Sequence, residues 1–343
     1  MSGLYYIGFD IHKKVIVYCV KDVAGGVIDR GSIESTRGGL GQWVSSLKHP
    51  WIGAMEATLF TGWIYDFLKP HAVELKVANP LMLKAISASK KKNDRDDAEK
   101  IADLLRCNLL PECYMASQEI RELRRVLRYR SLMVREAVKM KNKTAGLLME
   151  VGAQYNKKRL HTKKYFSELL DSLEDVPESV RNMLKLSRSN LEMFEVVQKR
   201  LVRELRKNER IKDRVERLMT IAGVGEITAL TWVLEIGDPM RFHSIRQAIS
   251  YCGLCSAQRE SAGKEKRGPI SKQRNKHLQT ILIEAAKLAP RKNPELAEVN
   301  IRETEKGNHN RATLAVARKL VAYMLAVDKR QTAFTLREHH IAV

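Results

Sequence analysis

The sequence predicts an α/β domain at its N-terminus followed by an all-α remainder. Up to about residue 115, short β-branched and aromatic runs alternate with helix-period stretches; beyond it, apolar residues recur at three and four and strand patterning stops. The length of 343 residues, at roughly 100 to 200 per domain, leaves room for two or three cores.

Residues 4–10 and 15–20 are strand-like runs separated by His12-Lys13-Lys14, and Ala24-Gly25-Gly26 supplies a turn before a third run at 27–32. Three strands joined so tightly predict an antiparallel meander. An amphipathic stretch at 40–47, a strand at 51–56, a helix at 63–68, a strand at 73–77 and a helix at 94–106 follow. Strand, strand, strand, helix, strand, helix, strand, helix is the order of the ribonuclease H type of fold.

Residues 117–218 contain one proline, Pro177, and two apolar stripes. Leu123, Val126, Leu127, Val134, Val138, Ala145 and Leu148 form the first, and Leu191, Phe194, Leu201, Leu205, Val215 and Leu218 the second. Two long helices folded into a hairpin, or paired between subunits as a coiled coil, bury such stripes. After them, Ile221-Ala222-Gly223-Val224-Gly225 turns into a helix-like run at 226–236, and 313–326 is the clearest piece of a helical tail. The predicted division is 1–115, 116–218 and 219–343.

Lys and Arg total 61 against 40 Asp and Glu, a net charge of +21. The surplus is regional: +2 over residues 1–115, +11 over 116–218, and +4 over each of 219–290 and 291–343. Such an excess points to polyanion partners and away from a small neutral metabolite. Arg121, Arg124, Arg125 and Arg128, clustered early in the first long helix with Arg130 beside them, are the expected nucleic-acid contacts. Gly223 and Gly225, just before a helix, expose backbone N–H groups that hold a phosphate without reading sequence, as helix-hairpin-helix modules do. The five cysteines form no disulfide framework, and Cys252 and Cys255 lack the second pair a zinc site needs. The start carries no secretory pattern, and no apolar run approaches the roughly eighteen residues of a membrane span. A soluble, cytoplasmic protein is expected.

Against the basic background, Asp10 ends the first strand, Glu56 ends the strand after the first helix, and Asp94 and Asp97 open a helix three residues apart on one face. In the predicted fold the first and fourth strands lie side by side, so these acids converge. Clustered carboxylates suit Mg²⁺ or Mn²⁺, and two such ions stabilise the attacking and leaving oxygens of phosphoryl transfer. Asp94 and Asp97 also fit the plainer role of helix N-terminal acids, and His12 reads as a strand-end surface histidine or as an orienter of a carboxylate. Further on, Ser261 sits in a glycine-bearing basic loop with Arg259, Lys264, Arg267 and Lys272, where cations can stabilise charge on a phosphoryl group attacked by a serine oxygen.

Taken together, Gly8-Phe9-Asp10-Ile11-His12-Lys13, Met55-Glu56-Ala57-Thr58, Lys92-Asn93-Asp94-Arg95-Asp96-Asp97-Ala98, Ile221-Ala222-Gly223-Val224-Gly225 and Tyr251-x-Gly-Leu followed by Ser261-x-Gly-Lys resemble the DEDD transposases of the insertion sequence 110 type. That group includes pilin-gene invertases and bridge-RNA-guided recombinases. The resemblance runs over about residues 4–285. It implies a RuvC-like N-terminal domain, a coiled-coil linker, and a mostly helical C-terminal transposase domain. It also implies an acidic tetrad at Asp10, Glu56, Asp94 and Asp97 that binds Mg²⁺, and a nucleophile, Ser261, that forms a covalent phosphoserine with DNA. Dimers or tetramers, donor and target DNA and a structured noncoding guide RNA are the implied partners, in the nucleoid of a bacterial or archaeal cytosol. The sequence departs from the family pattern at Ala262 and at Cys255-Ser256, which leaves Ser256 and Ser271 as alternative registers for the serine. Two other functions share these features: a RuvC-like nuclease or junction resolvase that uses water, and a noncatalytic nucleic-acid scaffold.

Overall fold

The computed structural model describes residues 3–86, 93–261, 264–271 and 273–335, and the chain divides into two compact units, Met1–Gln118 and Glu119–Val343. The first unit runs β1 (Tyr5–Ile11), β2 (Val15–Lys21), β3 (Val27–Glu34), α1 (Arg37–Ser46), β4 (Trp51–Glu56), α2 (Thr61–Leu68), β5 (Glu74–Ala78), α3 (Pro80–Ile86) and α4 (Asp94–Arg106). Its five strands are ordered β3-β2-β1-β4-β5. The first three form the expected antiparallel meander, and β1 pairs β4, and β4 pairs β5, in parallel.

A central strand in such a sheet must be covered on both faces. One face carries Phe9, Trp43, Trp51, Met55, Ile64 and Leu68, with the rings of Phe9 and Trp43 packed edge to face at 5.4 Å. Each large side chain withdrawn from water there contributes roughly 1.5 to 3 kcal/mol. The other face is closed by α4, whose Ile101 and Leu105 pack on Ala54 and Ala78. Lys21, only 4% exposed, ties α4 to β2 through Asp103 at 2.7 Å and Glu99 at 3.0 Å. The short α3 has no counterpart in the sequence reading, because seven residues opened by a proline carry too little periodicity to register.

The second unit holds α5 (Gln118–Glu150), α6 (Lys163–Ser172), α7 (Glu178–Arg206), α8 (Glu209–Met219), α9 (Glu226–Ile236), α10 (Ile245–Tyr251), a ribbon of β6 (Ser256–Ser261) and β7 (Lys264–Ile270), then α11 (Lys276–Leu288), α12 (Pro294–Glu305) and α13 (His309–Arg330). The two long helices are antiparallel, since Leu127 clusters with Leu205 near one end while Leu147 and Leu148 cluster with Val180 and Leu184 at the other. Two expectations need correction here. Val138, assigned to the buried stripe, is 49% exposed, because the stripe of so long a helix is covered only where a partner reaches it. The basic stretch around Ser261, expected as a loop, forms an antiparallel ribbon.

The core of this unit is built around α9, in which Trp232 is fully buried and every residue from Thr228 to Ile236 is inaccessible to solvent or nearly so. The turn before α9 requires its glycine. Gly223 has φ +93°, and a Cβ there would fall 2.5 Å from the Ala289 Cβ.

Candidate active site

The parallel register of β1 and β4 ends with Phe9 opposite Met55, so Asp10 and Glu56 follow side by side at the carboxyl ends of two neighbouring strands. Side chains alternate along a strand, which puts Asp10 on the face of Gly8 and Glu56 on the face of Ala54, the face covered by α4. The helix lies close. A Cβ added to Gly8 would meet the Ala98 carbonyl oxygen at 2.1 Å and the Ala102 nitrogen at 2.5 Å. Asn93 starts α4 by accepting a bond from the Arg95 N–H at 3.2 Å. Close packing at Gly8 and this fixed start together deliver Asp94 to Asp10.

His12 stands between the two acids. Its Nε2 lies 3.0 Å from Asp10 Oδ2 and 3.5 Å from Asp94 Oδ2, and one ligand atom from each of the three residues falls within 4.8 Å of the others. The Asp10 side chain is 14% exposed and that of Asp94 is 54% exposed. Burial pushes the Asp10 carboxyl above its ordinary pKa, and repulsion from Asp94 and Asp97 adds to this, while the His12 contact opposes it. A cation placed here relieves that electrostatic tension; the two carboxylate oxygens are donors suited to Mg²⁺ or Mn²⁺, and the imidazole nitrogen, a donor for softer ions, serves them better as a hydrogen-bonding neighbour of Asp10.

The four expected acids are thus not equally placed. Asp10 and Asp94 meet in one group. Asp97, one turn along α4, lies 3.4 Å from Lys100 and outside the tight group, as does the half-buried Glu56. The backbone carbonyl of Glu56 accepts from the Thr61 hydroxyl at 2.7 Å, which fixes the turn after β4. His12 takes a larger part than its sequence position indicated. The available signal was its spacing of two from Asp10, which puts both residues on one side of an extended chain.

In the second unit the backbone register sets Ser261 opposite Lys264, Arg259 opposite Lys266, and Gln258 opposite Arg267; Lys272 lies outside the described residues. Of the expected nucleic-acid contacts on α5, Arg128 donates to both carboxylate oxygens of Glu235 at 2.8 Å, and Arg124 donates to the Leu234 carbonyl at 2.8 Å. Glu235 is 1% exposed, and a buried carboxylate needs such partners. Arg125, 75% exposed beside Glu122 at 3.8 Å, and Arg121 complete the cluster. Gly225 is the N-cap residue just before α9, with no side-chain cap bond and open space where a Cβ would stand.

Comparison with known proteins matches two family models to this chain. The DEDD model of the IS110 group, described as a transposase, matches residues 7–152, and the model described as "Transposase IS116/IS110/IS902 family" matches residues 215–299. The chain is 26% identical to the transposase for insertion sequence element IS1111A of Coxiella burnetii, over 97% of this chain and 92% of that one. It is 24% identical to the transposase for insertion sequence element IS1328 of Yersinia enterocolitica, over 98% of this chain and 100% of the other. A probable family 20 transposase of Pseudomonas aeruginosa is 27% identical over 58% of this chain and 60% of its own length.

Proposed function

The chain belongs to the IS110-type transposase family, enzymes that cut and rejoin DNA, and from that premise we propose a recombinase of an insertion sequence that works through a covalent phosphoserine. Asp10, Glu56, Asp94 and Asp97 form its acidic tetrad and Ser261 is the nucleophile. The observation that supports this most is the meeting of Asp10, His12 and Asp94 at the end of the central strands. A divalent metal is implied by the DEDD domain. Bound by these acids, Mg²⁺ or Mn²⁺ supplies charge neutralisation at the phosphoryl oxygens and the leaving oxygen.

The remaining steps fall to the chain's own residues. His12, hydrogen bonded to Asp10 at 3.0 Å, holds that carboxylate in one orientation. Ser261 Oγ attacks phosphorus: the Oγ–P bond forms as the P–O bond to the leaving deoxyribose oxygen breaks. The hydroxyl proton passes to a base, and the leaving oxygen takes up a proton. One phosphoester replaces another, so a hydroxyl from a second DNA end can reverse the step and join the strands. Arg259, Lys264 and Arg267, in the ribbon that carries Ser261, supply cations for the charge that develops. In this reading residues 1–115 carry the acids, 116–218 form a linker for pairing with a second copy, and 219–343 carry the serine. The partners are donor and target DNA, a structured guide RNA and one or more further copies of the chain.

The test is to incubate the protein with donor DNA and Mn²⁺, denature, and look for a covalent protein–DNA adduct. Wild type should give one, and Ser261→Ala and Asp10→Asn should give none while binding DNA as before. An adduct that persists in Ser261→Ala overturns the serine assignment. Cut DNA with free ends and no adduct in the wild type would favour hydrolysis by water.

A further inference from the structure

Between α5, α7 and the start of α9 runs a groove of about 380 Å³, lined by four cations, Arg130, Lys199, Arg203 and Arg206, and by two acids, Glu195 and Glu226. The acids are matched. Glu195 lies 3.6 Å from Lys141, which is outside the groove, and Glu226 lies 3.5 Å from Arg206. Arg130, Lys199 and Arg203 make no ion pair among the described residues, so three positive charges of the groove have no counterpart among those residues.

Arg130 carries the argument furthest. Its Nε is buried and has no acceptor among the described residues, and burial pushes its guanidinium below the usual arginine range. An N–H donor taken out of water without an acceptor costs free energy even where the rest of a half-buried guanidinium reaches solvent. Two and six residues earlier on the same helix, Arg128 and Arg124 avoid this by bonding to Glu235 and Leu234. Arg130 has no such partner and lines a groove instead. On α7, Lys199, Arg203 and Arg206 follow one another at four and three residues, so they share a face and form a row along the groove. A ligand that fits must be anionic, rich in acceptors, free of donors and able to meet several cations in line. A phosphodiester backbone has these properties, and guanidinium groups bind its oxygens in pairs.

We infer that this groove is a second nucleic-acid site, which binds a stretch of phosphodiester backbone without reading its bases. The choice of a nucleic acid over a free anion rests on the transposase reading; the site's anion chemistry does not.

The experiment uses the full chain, a short random-sequence DNA duplex and an RNA hairpin, with binding followed by fluorescence anisotropy over a salt series. The double variant Lys199→Gln/Arg203→Gln should bind one or both about tenfold more weakly, with a salt slope reduced by about 1 to 2. Loss with DNA alone assigns the groove to DNA, loss with RNA alone assigns it to RNA, and loss with both marks a backbone site shared by the two. Arg130→Met should weaken binding in the same assay. Because it removes the buried orphan donor, it should also raise the thermal midpoint of the protein without nucleic acid. Unchanged affinity and slope for both nucleic acids in the double variant overturn the proposal, and so does an Arg130→Met protein that melts earlier and binds as before. None of these readouts requires strand cleavage, so a failure of the Ser261 assignment is seen separately in the adduct assay.

Discussion

Gly8 acts through what it lacks. With its nearest added-Cβ neighbours being the backbone of Ala98 and Ala102 at 2.1 and 2.5 Å, Gly8→Ala has to lift α4 off the sheet. Overpacking of this kind costs about 1 to 3 kcal/mol, to be read as a lower urea midpoint, and moving Asp94 away from Asp10 should reduce strand cleavage more than DNA binding. An unchanged midpoint would mean that α4 yields freely. At Asp10 the expected result runs the other way. Burial disfavours its charged form, so Asp10→Asn should be no less stable than wild type without metal. Added Mg²⁺ or Mn²⁺ should stabilise the wild type by about 2.7 kcal/mol at a hundredfold excess over its dissociation constant and leave Asp10→Asn flat in the same melts. The placements of Asp10 and Glu56 at strand ends and of Asp94 at a helix start were legible, because such boundaries leave local marks. The contact of His12 with Asp10 was legible from their spacing of two, but its approach to Asp94 was not, because that acid arrives from a distant helix.

At the scale of elements, α9 organises its surroundings through Glu235. Besides Arg128, its carboxylate accepts from the Asn275 side chain at 2.8 Å, and Asn275 is the cap of α11; its backbone carbonyl accepts from the Tyr251 hydroxyl at 3.1 Å, from α10. Tyr251 precedes the ribbon and Asn275 follows it, so one residue bonds to both roots of the segment that carries Ser261. Glu235→Ala should cost roughly 3 kcal/mol, the low end for a broken buried pair because Arg128 is half exposed, with chemical denaturation as the measure. Burial works against the charge of Glu235, but the bonds from Arg128 and Asn275 and the nearby Arg124 outweigh it and hold the carboxyl below its ordinary 4.5. The folded state therefore gains from the ionised form above that pH and loses the gain as the pH falls through the lowered value. Wild type should lose more of its urea midpoint than Glu235→Gln on acidification from about pH 5 to pH 3; parallel curves would remove Glu235 as the cause. The strands of the first unit and the two long helices were legible from apolar period. The ribbon was not. Gln258-Arg259-Glu260-Ser261 and Lys264-Glu265-Lys266-Arg267 have no apolar alternation, the mark by which a strand is read from sequence. The inward turn of Arg124 and Arg128 was hidden for a related reason, since an arginine that neutralises a buried acid and one that faces solvent look alike in a charge count.

Over the whole molecule, the net +21 is borne unevenly, with +2 on residues 1–115 and +11 on 116–218. The chain should therefore copurify with nucleic acid that high salt removes. Sequencing that material tests guidance: one discrete RNA species supports it, and random fragments count against it. Among the described residues no helix is long and apolar enough to cross a membrane. The sheet order has a further consequence, in time rather than space. β1 reaches β2 across residues 12–14, but reaches β4 only across residues 12–50, and Asp94 lies beyond both. Closing a longer loop costs more entropy and is slower, which predicts that the meander forms first, the β1–β4 pair next and α4 last, an order that pulse-labelled hydrogen exchange during refolding would check. A chain emerging from the ribosome thus has most of its sheet before it has the means to grip a metal, and its acidic edge stays blunt until the helix that begins at Asp94 has been made.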